Sequence, residues 1–494
     1  MAVADIRRPE NINISQVLRI NSFSLEDGHI FYYIQVTFGQ YYWQCKRRYS
    51  EFKTLHDKMI SDHRVDSDLL PAKYIFGVKN EAFLKKRQVD LEVYLLRLWH
   101  HLRQFPSALA EFLDFHLYEI HFVTENLCKL LQRVEQEGGR DSFSFTPIQI
   151  YAINKRRQLP EPTFGSSDKG RDFGHLLDFV HRLKTVKIVG SESLLGTSNI
   201  VENQLPLDLM IFKSAEHLTL DQLRTTELSG LENVRATVRV LRIHRTLQTL
   251  SVLLLRDADG WFAQDDAEYP RCLYWQKIVV ADFSSNRIEV LEPSLKLLNN
   301  VEHLDLSSNQ LRSLDHLNRL HNLQKLCLSK NYLAELEDLH AKLGNVQEIN
   351  LSHNQLQTLK GLAKMYSLES LDISDNEISG VAEVQHLRKL PCLAKLNLTS
   401  NPITLVVDYR IKILACFEAR ANEVNLDGSP GTAQEISHVN ILMALKKSQT
   451  SAIHLRKRPS DVNVTMGSPR SSPASPAPGH AVLQPTPSSS TAAT

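Results

Sequence analysis

The sequence predicts a two-part fold: an α+β module, with a three-stranded antiparallel sheet and helices, followed by a solenoid of short leucine-bearing repeats. Two observations predict it. Near the start of the chain, three segments rich in β-branched and aromatic residues precede helix-patterned ones. Further on, asparagines recur at Asn286, Asn309, Asn331, Asn354, Asn376 and Asn401, at intervals of 23, 22, 23, 22 and 25.

In the first part, Ile12 to Phe23 alternates apolar residues at Ile12 and Ile14 and again at Leu18 and Ile20, and reads as a strand. Ile30 to Phe38 is the second strand, Gly39 and Gln40 a turn, and Tyr41 to Tyr49 the returning third. Phe52, Leu55, Met59 and Ile60 then fall at helical spacing. A proline-containing segment, Leu69 to Gly77, breaks that pattern. It resumes at Phe83 and runs through Leu91, Tyr94, Leu95 and Leu98; after Pro106, Leu109, Phe112, Leu113 and Leu117 predict another helix. Phe122 to Glu137 is helix-patterned, Arg156 to Asp172 reads as a linker or long loop, and Val186 to Val189 is strand-like. Residues 122–200 are therefore read as a structured connection.

From Asn309 onward each asparagine closes the frame L-x-x-L-x-L-x-x-N, from Val301, Leu304 and Leu306 before Asn309 to Leu393, Leu396 and Leu398 before Asn401. This is the leucine-rich-repeat signature. Stacked turns bury one continuous core that no single repeat could form. Each asparagine amide is expected to be buried, bonding backbone of its own and neighbouring turns. The repeat domain is read as 201–430, with clear repeats over 280–405. Leu218, Leu220, Leu250 and Val252 are read as traces of degenerate earlier repeats, and a helix at Asp408–Phe417 as a cap. A helix is expected over 431–448. A Ser/Pro-rich tail over 449–494 is expected to be disordered, and its Ser-Pro and Thr-Pro pairs are either proline-directed phosphorylation sites or chance.

Composition narrows the function. Apolar residues make up 42% and charged ones 23%, and the net charge of +1 argues against a nucleic-acid binder. The six cysteines form no C-x-x-C pair, so neither a zinc site nor a disulfide framework is expected, and no cofactor. Met1 to Ile20 does not read as a signal peptide, and with no long apolar run any membrane contact is expected to be peripheral. Gly165 to Gly170 has the glycine spacing of a phosphate-binding loop, but Arg171 and Asp172 stand where lysine and a hydroxyl residue belong. No catalytic motif occurs, and the chain is expected not to be an enzyme.

Charge is concentrated between Trp43 and Arg103, with 13 lysines and arginines against 8 acids. Three pieces stand out in order: Lys46-Arg47-Arg48-Tyr49-Ser50-Glu51-Phe52, then Leu70-Pro71-Ala72-Lys73, then Lys85-Lys86-Arg87 ahead of Leu91 and Tyr94. Each piece alone fits a solvated edge. Together they resemble the PX domain, the phosphoinositide-binding module of sorting nexins, over residues 12–121. The resemblance implies that Arg48 pairs with the 3-phosphate of phosphatidylinositol 3-phosphate and that Tyr49 packs on the inositol. It also implies that Lys73 holds the 1-phosphate and Arg87 bonds the ring hydroxyls. Arginine's planar fork suits phosphate oxygens, and lysine's compact charge a single phosphate. Tyr74, Ile75 and Phe76 follow Lys73; they either insert into the bilayer beside the headgroup or belong to the core.

A PX module ahead of leucine-rich repeats is similar to the nischarin (imidazoline receptor-like) family. Phe173-Gly-His-Leu-Leu-Asp178, Gly196-Thr-Ser-Asn-Ile200 and Lys342-Leu-Gly-Asn345 resemble its text. The resemblance implies a cytoplasmic scaffold on early or recycling endosomes, acting in integrin and Rac–PAK signalling that restrains migration, with self-association a further expectation. Vertebrate members of that family are far longer, so partner sites in their remaining regions do not carry over. A sorting-nexin-like trafficking adaptor is the alternative.

Overall fold

The computed structural model describes residues 17–73, 80–101, 105–137, 141–159, 172–258 and 269–456. The chain forms two compact units, Met1–Ile441 and Leu442–Thr494. Among the described residues no helix is long and apolar enough to cross a membrane.

The first unit begins with an antiparallel sheet of β1 (Leu18–Glu26), β2 (His29–Phe38) and β3 (Tyr41–Arg48). The first strand starts at Leu18; the expected residues before Val17 lie outside the described ones. Asp27 and Gly28, both at positive φ, make the two-residue turn that joins β1 to β2. Alternation sends Tyr32, Ile34, Val36, Trp43 and Cys45 inward. Helix α1 (Tyr49–His63) starts directly from β3, where the Glu51 carboxylate accepts the Arg48 N–H at 2.8 Å. It buries Phe52, Leu55 and Met59. Helix α2 (Glu81–His101) buries Leu84, Leu91, Tyr94, Leu95 and Leu98 at helical spacing.

The helix expected over Leu109 to Leu117 is two short ones, α3 (Ser107–Phe112) and α4 (Phe115–Tyr118), split at left-handed Asp114. The split lets the Leu113 carbonyl accept the Trp43 indole N–H at 2.7 Å. Trp43 is fully buried among Phe38, Phe115 and Tyr118.

The region expected as a connection belongs to the solenoid. After helix α5 (Ile120–Gln136) come β4 (Ser142–Phe145), α6 (Pro147–Arg157), α7 (Phe173–Arg182) and β5 (Thr185–Val189). Among the described residues these two strands open an eleven-stranded parallel sheet. It continues through β7 (His217–Asp221), β9 (Val240–His244), β10 (Val280–Asp282), β11 (His303–Asp305) and β12 (Lys325–Cys327). It ends with β13 (Glu348–Asn350), β14 (Ser370–Asp372), β15 (Lys395–Asn397) and β16 (Asn425–Leu426). A two-residue pair, β6 (Leu207–Asp208) and β8 (Leu228–Ser229), lies beside it. The early turns carry whole helices or long loops between strands, so their strands are unevenly spaced and no period shows. Leu218 and Leu220 do sit on a strand. Leu250 and Val252 do not: they lie at a helical turn, Ser251–Leu254, and the strand there is β9.

The expected cap forms as α8 (Tyr409–Cys416), beyond which β16 adds one more strand. Helix α9 (Ala433–Arg456) runs past the expected end at 448 and through the first residues of the expected tail. Ser451 to Arg456 lacks the prolines that begin at Pro459, and nothing there stops a helix. The rest of the tail, 457–494, lies outside the described residues.

Each clear repeat seals itself with its asparagine. Asn286, Asn309, Asn331, Asn354, Asn376 and Asn401 are all buried. Asn354 is typical: its Nδ2 donates to the carbonyls of Leu328, Leu351 and Ser352 at 3.0, 2.9 and 3.2 Å, and its Oδ1 accepts the Leu333 N–H at 3.1 Å. One amide thus ties two turns together.

Candidate functional site

The three-residue basic run Lys46-Arg47-Arg48 ends β3, and the sheet separates its members. Lys46 bonds Glu26 across the sheet edge. Arg47 pairs with Asp114 at 2.6 Å and donates to the Phe112 carbonyl at 2.9 Å, which anchors the α3–α4 corner. Arg48 is exposed, and among the described residues no carboxylate forms an ion pair with its guanidinium.

Arg48 opens into a cleft with a volume of about 1200 Å³ that also takes in Tyr49, Lys73 and Arg87. All four residues expected to read a headgroup therefore line one cavity, although Arg48 and Arg87 are 39 residues apart in sequence. Lys73 is exposed and, like Arg48, has no carboxylate ion-pair partner among the described residues.

Arg87 and Tyr49 build the cleft wall as well as facing it. The Arg87 guanidinium is 6% exposed and lies over the rings of Tyr49 and Phe83, 4.7 Å from each centroid. Its Nη2 donates to the Ala72 carbonyl at 2.9 Å, and the Tyr49 hydroxyl donates to the Pro71 carbonyl at 2.5 Å. Together they fasten the Leu70–Lys73 segment and so place Lys73. Burial raises the Tyr49 and Tyr32 phenols above their ordinary value against the opposing pull of Arg87, so both stay neutral at pH 7.

The sequence reading missed His29, Ser50, Lys53 and His56, which also line the cleft. Lys53 could have been found, since it stands one helical turn from Tyr49. It is paired with Asp57 at 2.8 Å. His29 reaches the cleft because the Gly39-Gln40 turn folds β3 back along β2 and brings Arg48 beside the start of β2; strand register pairs Phe31 with Arg48. Tyr74, Ile75 and Phe76, expected at the membrane or in the core, lie outside the described residues.

A second concavity, about 520 Å³, lies on the strand face of the solenoid and includes Asp305, Cys327, Asn350 and Asp372. These polar positions are largely structural. The Oδ1 atoms of Asp305, Asn350, Asp372 and Asn397 each accept the backbone N–H two residues on, at 2.8, 2.9, 3.0 and 3.2 Å. Cys327 is half-buried, and burial raises its pKa. Among the described residues no cluster of side chains suits a metal.

Fold and cleft together define a class: an α+β module with an anion-ready cleft, built onto a leucine-rich solenoid. Comparison with known proteins agrees. Residues 35–116 match the PX domain family, and residues 321–378 and 345–403 match the Leucine rich repeat family. The chain is similar to the serine/threonine-protein kinase 11-interacting protein of Gallus gallus, 29% identical over 258 residues, 51% of this chain and 23% of that protein. It is also similar to sorting nexin-14 of Danio rerio, 38% identical over 132 residues, 24% of this chain and 14% of that protein. A solved designed CISK-PX domain is 30% identical, covering 20% of this chain and 97% of that one, with a TM-score of 0.18. The matched part of this chain spans less than a quarter of the length of either curated relative.

Proposed function

We propose that this chain is a peripheral membrane adaptor without catalytic activity, which reads phosphatidylinositol 3-phosphate through its PX cleft and holds protein partners on its solenoid. The observation that carries the reading is the pairing of Arg48 and Lys73 in one cleft, neither neutralised by a described carboxylate. Two uncompensated cations facing one cavity attract an anion with more than one phosphate. In this reading Arg48 forks onto the 3-phosphate, Lys73 takes the 1-phosphate, and Tyr49 flanks the ring. Arg87 keeps its backbone anchor while directing a donor edge at the ring hydroxyls. Tyr74, Ile75 and Phe76 would enter the bilayer beside it. Their joint replacement by alanine should then cost vesicle binding and spare soluble inositol 1,3-bisphosphate.

On this basis the chain resides on endosomes and scaffolds signalling of the nischarin type, with integrin tails or Rac–PAK components on the repeats. The similarity to sorting nexin-14 supports a trafficking adaptor as the second reading. Flotation of the chain with vesicles containing phosphatidylinositol, its 3-phosphate or its 4-phosphate tests the lipid assignment. Equal binding to all three would overturn it. Partners captured by the solenoid separate the two readings: kinases and GTPases favour the first, cargo tails the second.

A further inference from the structure

The free edge of the PX sheet is occupied by the solenoid. Strand β3 is the outer strand of that sheet, and its far edge would present unpaired backbone groups. The loop Leu195–Ile200, which follows β5, lies along it. Ser198 bridges Trp43 in antiparallel fashion. The Asn199 N–H donates to the Tyr42 carbonyl at 3.0 Å. The Asn199 side chain grips both sides of the same stretch: its Oδ1 accepts the Tyr42 N–H at 2.8 Å, and its Nδ2 donates to the Gln40 carbonyl at 2.8 Å. Thr197 donates its hydroxyl to the Gln44 carbonyl at 2.6 Å.

The loop is shaped for this contact. Gly196 takes a φ of +54°, and a Cβ there would come 2.5 Å from the Tyr118 hydroxyl, which also accepts the Thr197 N–H at 3.3 Å. Ile200 and Leu205 from the loop side, with Ile148, Tyr151 and Ala152 of α6, are part of the same buried cluster as Trp43 and Phe115. The two domains therefore share a core as well as a sheet edge.

We infer that Leu195–Ile200 is an internal clasp that serves as a fourth strand of the PX sheet, making the lipid cleft and the first solenoid turns one cooperative body. Its consequence rests on the lipid reading above: occupancy of the cleft stabilises the solenoid, and membrane docking fixes which way the strand face points. Strand β3 links the two sites directly, since Gln40 to Gln44 are clasped at one end and Arg48 stands in the cleft at the other.

Native-state hydrogen exchange of the full chain across a denaturant series tests this. In the unaltered protein, peptides from β2–β3 and from β5–β7 should open together. The double variant T197V/N199A removes three side-chain hydrogen bonds and should speed opening of β2–β3 relative to β5–β7 by about tenfold or more. Separate opening of the two regions in the unaltered protein would overturn the clasp, and that measurement does not depend on the variant folding. A second arm adds inositol 1,3-bisphosphate. Protection reaching β5–β7 supports the coupling, and protection confined to β1–β3 overturns it. No protection anywhere counts against the lipid reading and leaves the clasp decided by the first arm.

Discussion

Asn354 of the solenoid and Arg48 of the cleft are both polar side chains at or just beyond the end of a strand, yet they are bonded in opposite ways. Asn354 has its amide donors and acceptor engaged by backbone of two turns. Arg48 has no ion-pair partner among the described residues and faces a cavity. A polar group fully engaged inside the protein holds the fold, while one left unengaged in a cleft is open to solvent or a ligand. Arg47 and Arg48 show the same contrast one residue apart, because alternation along β3 sends Arg47 to Asp114 and leaves Arg48 to the cleft.

The largest effect should come from breaking the fully engaged group. Asn354→Ala leaves the buried Leu333 N–H without its partner, at about 1–3 kcal/mol, and takes one of two donors from each of the carbonyls of Leu328, Leu351 and Ser352, at about 0.5–1.5 kcal/mol for each bond lost. Denaturant unfolding should show a loss of about 3 kcal/mol or more, with headgroup affinity unchanged where the protein remains folded. A fully stable variant that loses a single protein partner would make Asn354 a contact residue.

Arg48→Gln should do the reverse. Titration with phosphatidylinositol 3-phosphate vesicles should show a loss of about 1.5–3 kcal/mol in binding, the range for a charged hydrogen bond, while the melting temperature stays put. Its neighbour sharpens the comparison. Arg47→Gln breaks a partly buried ion pair and a bond to the Phe112 carbonyl, and should cost about 1–2 kcal/mol of stability. Soluble headgroup affinity measured well below melting should survive. If Arg47 rather than Arg48 governs affinity, the assignment of the two is inverted.

The smallest expected effect concerns pH. His244 on β9 faces Asp282 on β10 at 3.1 Å. The Asp282 carboxylate beside it raises the His244 pKa despite the opposing effect of burial. Burial works to raise the Asp282 carboxyl, but the neighbouring His244 and the bonds from Ser284 outweigh it and hold the value at about 2. The stability owed to charged His244 is complete below its ordinary 6.5 and is lost as pH rises through its raised folded value. That owed to Asp282 is present above its ordinary 3.8 and is lost as pH falls through about 2. His244→Gln should therefore flatten the stability profile on the alkaline side of pH 6.5. A wild-type profile already flat there would show that the pair does not couple to folding.

Much of the cleft was legible because its parts are local. The Arg48-Tyr49 junction, the proline segment before Lys73 and the helix phase of Arg87 can each be read within a few residues. What could not be read was how Arg87 and Tyr49 divide their roles, since their anchors at Ala72 and Pro71 are contacts between segments. The solenoid was legible where its turns are short and even. It was not legible at β4 and β5, where helices α6 and α7 intervene and strand pairing alone shows that Ser142 to Phe145 continues the same sheet.

The sequence by itself determined the repeat frame, its buried leucines and its sealing asparagines, because each follows from a periodicity that any stacked turn must satisfy. The tertiary structure decided what period and propensity do not encode. Ser308, Lys330, His353, Asp375 and Ser400, each just before an asparagine, adopt left-handed backbone at φ of 54°, 56°, 54°, 52° and 57°. Serine and lysine have no strong preference for that conformation, which carries a steric cost. The N–H groups of Ser308, Lys330, His353 and Asp375 then meet carbonyls of the next turn, as Lys330 meets Ser352 at 2.9 Å. In the same way only the assembled chain sets Asn199 against Tyr42, 157 residues away in sequence. Contacts at that separation arise from packing, and packing is where the lipid module and the solenoid become one body.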